Sequence, residues 1–416
     1  MKLKLTILAL CFTAIAHAQV DYLLIPDRVF DGKEIHENWV VGVKGNGISY
    51  AGPNKSIDAD STIELKGMTL MPGLIEGHSH ILLHPYNETS WNDQVLKESV
   101  AERSARAVNH LKASLMAGVT TMRDLGSEGA GYADVGLKIA VQKGVIPGPR
   151  LIVAGKAIVA TGSYGPKGFH EGVNVPLGAE EADGYDDLIR VTRDQIGNGA
   201  DLIKVYADYR WGPEGTAQPT FTVAELKTIV EIAESSGREV VAHASSAEAM
   251  KRAIEAGIKT IEHGDGGTLE VFKLMAEKGV ALCPTIAAGD AITQYSGWNK
   301  GVDPEPGRIR AKRRSFELAL QAGVKIVFGG DVGVFPHGEN VRELELMVEY
   351  GMPVELALIS ATSGNAETFR LDDLGQLKEG FLADIIAVEG DPLSSISNLR
   401  KVKLVMKDGK IYKNHP

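Results

Sequence analysis

The stretch VVAHASSAEAMKRAIEAGIKTIEHG, residues 240–264, indicates the fold class. Two short apolar runs flank a segment with helical spacing, which opens at Ser246, a residue type that caps helices, and closes at Gly257. This order of strand, helix and strand is typical of a βαβ unit, whose two strands lie parallel in one sheet. Each apolar run also ends close to a histidine, His243 in the first and His263 in the second.

The same alternation extends over residues 70–370. Apolar runs, most of them introduced by glycine turns, predict eight strands at 74–80, 119–124, 151–157, 202–206, 240–244, 260–263, 280–286 and 326–331. Helical patterns such as 222–237 and 246–257 separate them. Eight βα units close naturally into a (β/α)8 TIM barrel, whose active site lies at the carboxyl ends of the strands. We therefore predict an α/β protein with a barrel over residues 71–370.

Both ends of the chain have a different, alternating β pattern. Residues 19–70 carry Asp-Gly and Gly-Asn-Gly turns, and residues 371–416 carry a Lys-Asp-Gly turn, between runs of alternating apolar residues. We interpret the two segments as the two parts of one small β-sandwich domain that brings the chain ends together.

The first 18 residues have the pattern of a secretory signal peptide. Lysines at positions 2 and 4 precede an apolar run over residues 5–15, and Ala-His-Ala at 16–18 fits a cleavage site between small residues. The apolar run is too short to span a bilayer comfortably, and we expect no membrane segment elsewhere. The prediction is a secreted or periplasmic protein that begins after residue 18.

Charge and cysteine content narrow the class of partner. The chain of 416 residues has a formal net charge of -10, without clusters of lysine and arginine, which disfavours a nucleic-acid partner. Of its two cysteines, removal of residues 1–18 leaves Cys283 alone, so no intramolecular disulfide can form. We expect a small-molecule or dipeptide-like substrate and no membrane partner, and the sequence is compatible with a homo-oligomer.

Metal-binding residue types recur where the predicted strands end. In chain order they are His78 and His80 in the first strand, Lys204 in the fourth, His243 in the fifth, His263 in the sixth and Asp331 in the eighth. The first two, at i and i+2, point to the same side of a strand and can reach one ion together. Because carboxyl ends of barrel strands share one mouth, all six side chains are expected to converge there. Their joint placement predicts a metal centre.

These six residues, in this order on these strands, resemble the amidohydrolase superfamily, in the subtype with two metal ions bridged by a carboxylated lysine. Further similar stretches are MPGLIEGHSH (71–80), TTMRDLG (120–126), IEHGDGG (261–267) and GFLADIIAV (380–388). Within the superfamily, the chain looks most like the imidazolonepropionase-related branch, which includes Xaa-Pro dipeptidase-like hydrolases.

The resemblance implies how the ligands are divided. One ion would be held by the first histidine pair with Asp331, and the other by the histidines of strands five and six, while a CO2-derived carbamate on Lys204 would bridge both. Imidazole nitrogen and carboxylate oxygen suit Zn²⁺, for which Mn²⁺ or Co²⁺ could substitute. A metal-bridging hydroxide would attack the substrate carbonyl, with Asp331 as the catalytic base.

The implied activity is metal-dependent hydrolysis of C–N bonds in small substrates such as dipeptides or N-acyl amino acids. Two alternatives stay open: hydrolysis of a cyclic amide, as in imidazolonepropionase, and a non-catalytic relative that binds metal. Deamination is disfavoured because deaminases of this superfamily typically carry a glutamate three residues after the strand-five histidine, where this chain has Ser246.

Loops after the strands are expected to supply the substrate contacts. The candidates are Tyr164 and His170 after the third strand, Tyr206, Tyr209 and Arg210 after the fourth, and His337 after the eighth. Arg210 could bind a substrate carboxylate through two hydrogen bonds. The stretch VYADYRW (205–211) suggests a bulky, aromatic pocket. Arg123 and Asp124, after the second strand, are expected to form a buried ion pair that braces the barrel.

Overall fold

A computed structural model of the chain describes residues 20–415, so the predicted signal peptide of residues 1–18 lies outside the described part. Its strands are β1 Val20–Phe30, β2 Ile35–Glu37, β3 Trp39–Lys44, β4 Gly47–Pro53, β5 Ala59–Pro72, β6 Leu74–Ser79, β7 Val119–Asp124, β8 Arg150–Val153, β9 Ile158–Val159, β10 Glu180–Glu181, β11 Ile203–Tyr206, β12 Asp208–Arg210, β13 Ala217–Pro219, β14 Val240–Ser246, β15 Thr260–Gly266, β16 Ala281–Cys283, β17 Ile385–Glu389, β18 Val402–Lys407 and β19 Lys410–Asn414.

The helices alternate with the central strands. They are α1 Trp91–Lys97, α2 Val100–Met116, α3 Ala133–Gln142, α4 Gly184–Gly197, α5 Val223–Glu234, α6 Ala247–Ala256, α7 Leu269–Lys278, α8 Ile286–Tyr295, α9 Gly307–Gln321, α10 Val341–Glu349, α11 Val354–Ser360 and α12 Ser363–Thr368, with short 3-10 helices at Pro213–Gly215 and Ile396–Arg400. Within residues 20–415, none of these helices has the length and apolar character needed to cross a bilayer.

Helix α6 follows the rules used to predict it. The Ser246 side chain accepts a hydrogen bond from the backbone N–H of Ala249, and Gly257 ends the helix in a left-handed conformation with φ 93°. Its buried face, which includes Met250, Ala253 and Ile254, packs on the parallel strands. The strand, helix, strand prediction for residues 240–264 is therefore confirmed.

Both chain ends build one eight-stranded sheet, in the order β19-β18-β17-β5-β1-β3-β4, with β2 paired to β1. Strand β5 is the junction, because it runs parallel to β1 and antiparallel to β17, where Leu70 lies opposite Ala387. Side chains from both ends, such as Leu65, Ile385 and Leu404, are fully buried in one apolar cluster. The N-terminal and C-terminal segments are thus joined by pairing and by packing.

Two parallel sheets carry the central region, in the orders β6-β7-β8 and β10-β9-β11-β14-β15-β16. Parallel bridges join Leu282 to Ile326 and Ser79 to Val332. The segment 326–332 forms these bridges, and the regular eighth strand predicted at 326–331 is not observed. Its glycines explain the close approach, since a Cβ added at Gly329 would lie 2.5 Å from Cys283 Sγ.

Two other predicted strands differ in length from the observed ones. The run 151–157 is strand only up to Val153, where β8, which pairs with β7, ends. Strand β9, which pairs with β11, begins just after the run, and Gly155 lies between the two strands with φ 70°. The run 280–286 ends early at Cys283, because Thr285 adopts a left-handed conformation and α8 begins at the next residue. Neither of these early strand ends can be predicted from the apolar content of the sequence alone.

Candidate active site

A cavity of about 940 Å³ opens among the residues that follow the parallel strands. Its wall includes four of the predicted ligands: His80, His243, His263 and Asp331. The other two, His78 and Lys204, are more deeply buried, each with 1% of its surface exposed. The fold therefore brings side chains from five separate strand ends to one place, as the barrel rule predicts.

His78, His80 and Asp331 meet at the end of the first parallel strand. The Nε2 atoms of His80 and His78 lie 3.3 Å and 3.6 Å from Asp331 Oδ1. Within the described residues, this buried oxygen has no hydrogen-bond partner. Gly77 permits the arrangement, since an added Cβ would lie 2.6 Å from the carbonyl oxygen of Phe328. A buried carboxylate oxygen normally has a hydrogen-bond donor or a cation as its partner. Here the oxygen has no donor and faces two imidazoles, so a cation bound between these groups would supply the missing partner.

The first histidine pair is oriented through its other ring nitrogens. His78 Nδ1 is hydrogen-bonded to Glu262 Oε2 at 2.8 Å, and His80 Nδ1 donates to the carbonyl oxygen of Gly126 at 2.9 Å. Both Nε2 atoms are therefore left directed toward Asp331. Histidines that ligate metals usually have this second hydrogen bond, which fixes the tautomer and the orientation of the ring.

The second histidine pair has the same kind of support. His263 Nδ1 is hydrogen-bonded to Thr285 Oγ1 at 2.7 Å, and His243 Nε2 lies 3.4 Å from Asp208 Oδ1. The ring centroids of His243 and His263 are 4.5 Å apart, and those of His263 and His78 are 5.2 Å apart. His78, His263 and Asp331 offer donor atoms that all lie within 4.8 Å of one another.

Burial keeps these donors in the form that binds cations. It lowers the pKa of His78 and of His263 well below the usual value, and that of His243 to about 4. Burial also lowers the pKa of Lys204, against the opposing effect of nearby carboxylates, which favours a neutral amine. Burial raises the pKa of Asp331, and the charges of His80 and Lys204 oppose this shift. Imidazole nitrogens with a carboxylate oxygen form a donor set that fits divalent ions of the zinc type.

Several residues of the site adopt left-handed backbone conformations, which are uncommon for residues other than glycine. His263 has φ 76°, Asp331 has φ 63°, Thr285 has φ 49° and Glu128 has φ 48°. Such conformations cost free energy and are retained where the surrounding structure fixes them, most often at functional sites. They turn the chain sharply at the strand ends and direct these side chains to the cavity.

Arg123 does not pair with Asp124, so the ion pair expected from sequence is wrong. Neighbouring residues of a strand point to opposite faces. Arg123 donates to Glu262 Oε1 at 3.2 Å and to the carbonyl oxygen of Gly77 at 2.7 Å, whereas Asp124 accepts from the backbone N–H of Ile81. Arg123 thus braces the interior through Glu262, which in turn orients His78.

The predicted substrate contacts divide into two groups. Four of them line the cavity, namely Tyr164, Tyr206, Tyr209 and Arg210. The structure does not bring His170 or His337 to its wall. His170 is exposed on a surface loop, where its Nδ1 accepts from the backbone of Gly172. His337 packs inward instead, stacked on His110 with the ring centroids 4.4 Å apart.

Glu128 is the main residue of the site that sequence analysis missed. It lines the cavity and is only 2% exposed. Its carboxylate accepts hydrogen bonds from the hydroxyls of Tyr164 and Tyr206, at 2.7 Å and 3.2 Å, and from Trp91 Nε1 at 2.8 Å. In the sequence it is one acidic residue in a glycine-rich loop, and only its position after the second strand could have indicated a role.

Comparison with known proteins agrees with this geometry. The model of the amidohydrolase family matches residues 69–412. Ochratoxinase from Aspergillus niger is 32% identical over 379 residues, which cover 83% of this chain and 75% of that enzyme. A crystal structure of a Xaa-Pro dipeptidase with methionine bound in its active site is 33% identical, with a TM-score of 0.82, and covers 94% of this chain and 100% of that chain.

The crystal structure of A. niger ochratoxinase has a TM-score of 0.80 at 28% identity and covers 94% of this chain and 95% of that chain. The α/β fold described above is therefore similar to the TIM-barrel fold of amidohydrolases. The family match covers most of the chain, and its relatives hydrolyse C–N bonds. The chain belongs to the amidohydrolase family, and it is a hydrolase that acts on C–N bonds.

Proposed function

We propose that this hydrolase is metal-dependent and cleaves the amide bond between an acyl group and a C-terminal amino acid in small substrates, either dipeptides or N-acyl amino acids. One observation carries the proposal. Asp331 Oδ1 is buried and has no hydrogen-bond partner in the described part of the chain, and it faces the Nε2 atoms of His78 and His80. The similarity to an ochratoxinase and to a Xaa-Pro dipeptidase supports the same reaction class.

The residues present fit two divalent ions, with Zn²⁺ as the first choice. His78, His80 and Asp331 would hold one ion, and His243 and His263 the other. When bound, the ions would polarise the substrate carbonyl and make a water molecule acidic enough to attack it. Lys204 is buried, and burial lowers its pKa, which favours the neutral amine that can react with CO2 and release one proton. The resulting carbamate would add two anionic oxygens to the ligands of the ions.

Asp331 is the proposed catalytic base. While one oxygen of its carboxylate would hold the ion, the other can take a proton from the attacking water, hold it while the tetrahedral intermediate forms, and deliver it to the nitrogen of the leaving amino acid. Arg210, at the exposed side of the cavity wall, is placed to pair with the free carboxylate of that amino acid. These two residues would thus act at opposite ends of the leaving group.

We also propose the full architecture expected from sequence. The bridges at Ser79 and Leu282, and the pairing of β8 and β9 with different neighbours, support one (β/α)8 barrel over residues 71–370. The shared apolar cluster supports a small β-sandwich domain from residues 19–70 and 371–416. Secretion or export to the periplasm, with cleavage after residue 18, is part of the same proposal.

The test combines metal analysis with hydrolysis of dipeptides, N-acyl amino acids and ring amides. We expect bound zinc, and cleavage of the first two classes that a chelator abolishes. His80→Asn is expected to lose both, whereas His36→Asn, a control in β2 that contacts Asp31, retains both. Stoichiometric metal without cleavage of any substrate would identify a binding protein, and cleavage of ring amides alone would favour the imidazolonepropionase-like alternative.

A further inference from the structure

The carboxylate of Glu128 differs from those of Asp265 and Asp290, two other acidic groups in the cavity wall. Asp265 is paired with Lys312 at 2.6 Å, and Asp290 is paired with Arg342. Glu128 receives hydrogen bonds only from neutral side chains, two phenols and an indole. Over residues 20–415, the nearest basic nitrogen to this carboxylate is His80 Nδ1 at 4.0 Å, which already donates to Gly126.

Three neutral donors occupy three of the roughly four acceptor positions of a carboxylate, and no charged side chain in the described part of the chain donates to it. The buried guanidinium of Arg103 donates instead to the backbone carbonyl oxygen of Glu128. A buried anion in this state attracts a cation strongly, because little water screens it. Oε1 has only the longest of the three hydrogen bonds, from Tyr206 at 3.2 Å, and is the oxygen nearer to His80. The free acceptor position therefore lies on the side of the reaction centre.

Aromatic rings surround the same carboxylate. Tyr164 is the central ring, with its centroid 5.2 Å from Trp91, 4.7 Å from Tyr206 and 4.8 Å from Tyr209, and all three pairs are tilted or edge to face. An ammonium group positioned over the face of one of these rings would gain cation–π attraction. A carboxylate inside such a cage adds a hydrogen-bond acceptor for the N–H groups of a primary ammonium.

We propose that Glu128, Trp91, Tyr164 and Tyr209 form a subsite for a primary ammonium group on the acyl side of the substrate, so that dipeptides with a free N-terminus are preferred to N-acyl amino acids. This inference rests on the proposed function and selects between its two substrate classes. The α-ammonium of a dipeptide is two bonds from the scissile carbonyl carbon. The Glu128 carboxylate and Asp331 line the same cavity and flank one ring, with Glu128 Oε1 4.0 Å from His80 Nδ1 and Asp331 Oδ1 3.3 Å from His80 Nε2.

The decisive experiment uses pairs of substrates that differ in one group. An L-alanyl amide and the propionyl amide of the same amino acid have the same carbon skeleton, and only the first has an ammonium. With methionine, proline and phenylalanine as leaving groups, we expect kcat/KM to be about 10- to 100-fold higher for the alanyl member, the range for a hydrogen bond to a charged group. Equal kcat/KM values within each pair would overturn the inference and leave the proposed function intact.

Two substitutions test whether the preference for the alanyl substrate arises at this subsite. Glu128→Gln keeps an acceptor oxygen but removes the charge, so the ratio of alanyl to propionyl kcat/KM is expected to fall toward one. Trp91→Leu removes one wall of the cage and is expected to lower the ratio about 3- to 10-fold. Glu171→Gln, a control at an exposed position outside the cavity wall, leaves the ratio unchanged. A wild-type ratio in both subsite variants would overturn the assignment.

A binding measurement keeps the inference testable without turnover. Saturation-transfer NMR with the full chain and zinc compares L-alaninamide with propionamide at neutral pH. Binding of L-alaninamide that is lost in Glu128→Gln, with weaker binding of propionamide, supports the ammonium subsite even if no amide is hydrolysed. Equal binding of the two amides contradicts it. Failure of hydrolysis with both members of every pair would instead refute the proposed function.

Discussion

Replacing Glu262 with glutamine tests the link between the buried residues around Arg123 and the proposed metal site. The carboxylate is fully buried and is shared by three donors: His78 Nδ1 at 2.8 Å, Arg123 Nη2 at 3.2 Å and Thr260 Oγ1 at 2.5 Å. Glu262→Gln has nearly the same shape but no charge. The substitution leaves the guanidinium of Arg123 buried without its anion. It also weakens the hydrogen bond that orients the imidazole of His78.

Two separate losses are expected. Removing one partner of a buried ion pair costs about 3 to 5 kcal/mol, and because Arg123 keeps its bond to the carbonyl oxygen of Gly77, we expect the lower end, about 3 kcal/mol, in the free energy of unfolding of the metal-free protein. Removing the group that orients a metal-binding histidine costs about 10- to 100-fold in metal affinity. The second loss is specific to the proposed role of His78.

Urea unfolding of the metal-free protein measures the first loss, and competition for zinc with a chromogenic chelator measures the second. Glu239→Gln is the matched control, because Glu239 also pairs with an arginine, Arg370, but that arginine is 63% exposed. An exposed pair contributes about 0 to 1 kcal/mol, and zinc affinity is expected to stay at the wild-type value. If Glu262→Gln binds zinc as tightly as the wild type, the proposed orientation of His78 through Glu262 is wrong.

Three further changes test other parts of the structure. Lys204→Met, assayed with excess zinc and bicarbonate, is expected to lower bound metal from about two ions to at most one per chain; elemental analysis showing two ions would exclude the bridging carbamate. Gly73→Ala would place a Cβ 2.2 Å from Thr120 Oγ1, so we expect a loss of about 3 kcal/mol in urea unfolding, and an unchanged midpoint would contradict this packing. Burial raises the pKa of Glu343 to about 8, above its usual value of 4.5, so its contribution to stability is full below pH 4.5 and is lost as the pH rises to 8. Glu343→Gln cannot lose a proton, and its stability relative to wild type is expected to rise by on the order of 4 kcal/mol across this interval; a constant difference would refute the shift.

Strand and helix periodicity located most of the central elements. The residues 240–264 fold as predicted because capping, helical spacing and β-branched runs all favour the same local structure there. The predictions failed where tertiary contacts decide, as at Gly155, which lies between β8 and β9, and at Gly329, which crosses close to Cys283. These backbone turns and close contacts depend on residues far apart in the sequence, so no local sequence pattern predicts them.

The ligand positions could be predicted because strand ends in a parallel sheet share one edge, so chain order fixes their meeting point. Side chains on longer loops are not fixed in this way. His170 and Tyr164 follow the same strand, yet Tyr164 is held in the wall by its bond to Glu128, whereas His170 remains in solvent. Glu128 itself depends on a left-handed turn at a residue other than glycine, which sequence patterns do not mark.

The pairing of β5 with β17 has a consequence for how the protein is made. A ribosome produces residue 70 long before its partner, residue 387, so β5 emerges with one edge open throughout synthesis of the intervening chain. The nascent N-terminal strands therefore need protection from aggregation until translation is nearly complete. Deleting the chain from β17 onward, which leaves this edge of β5 without its partner, is expected to yield insoluble protein.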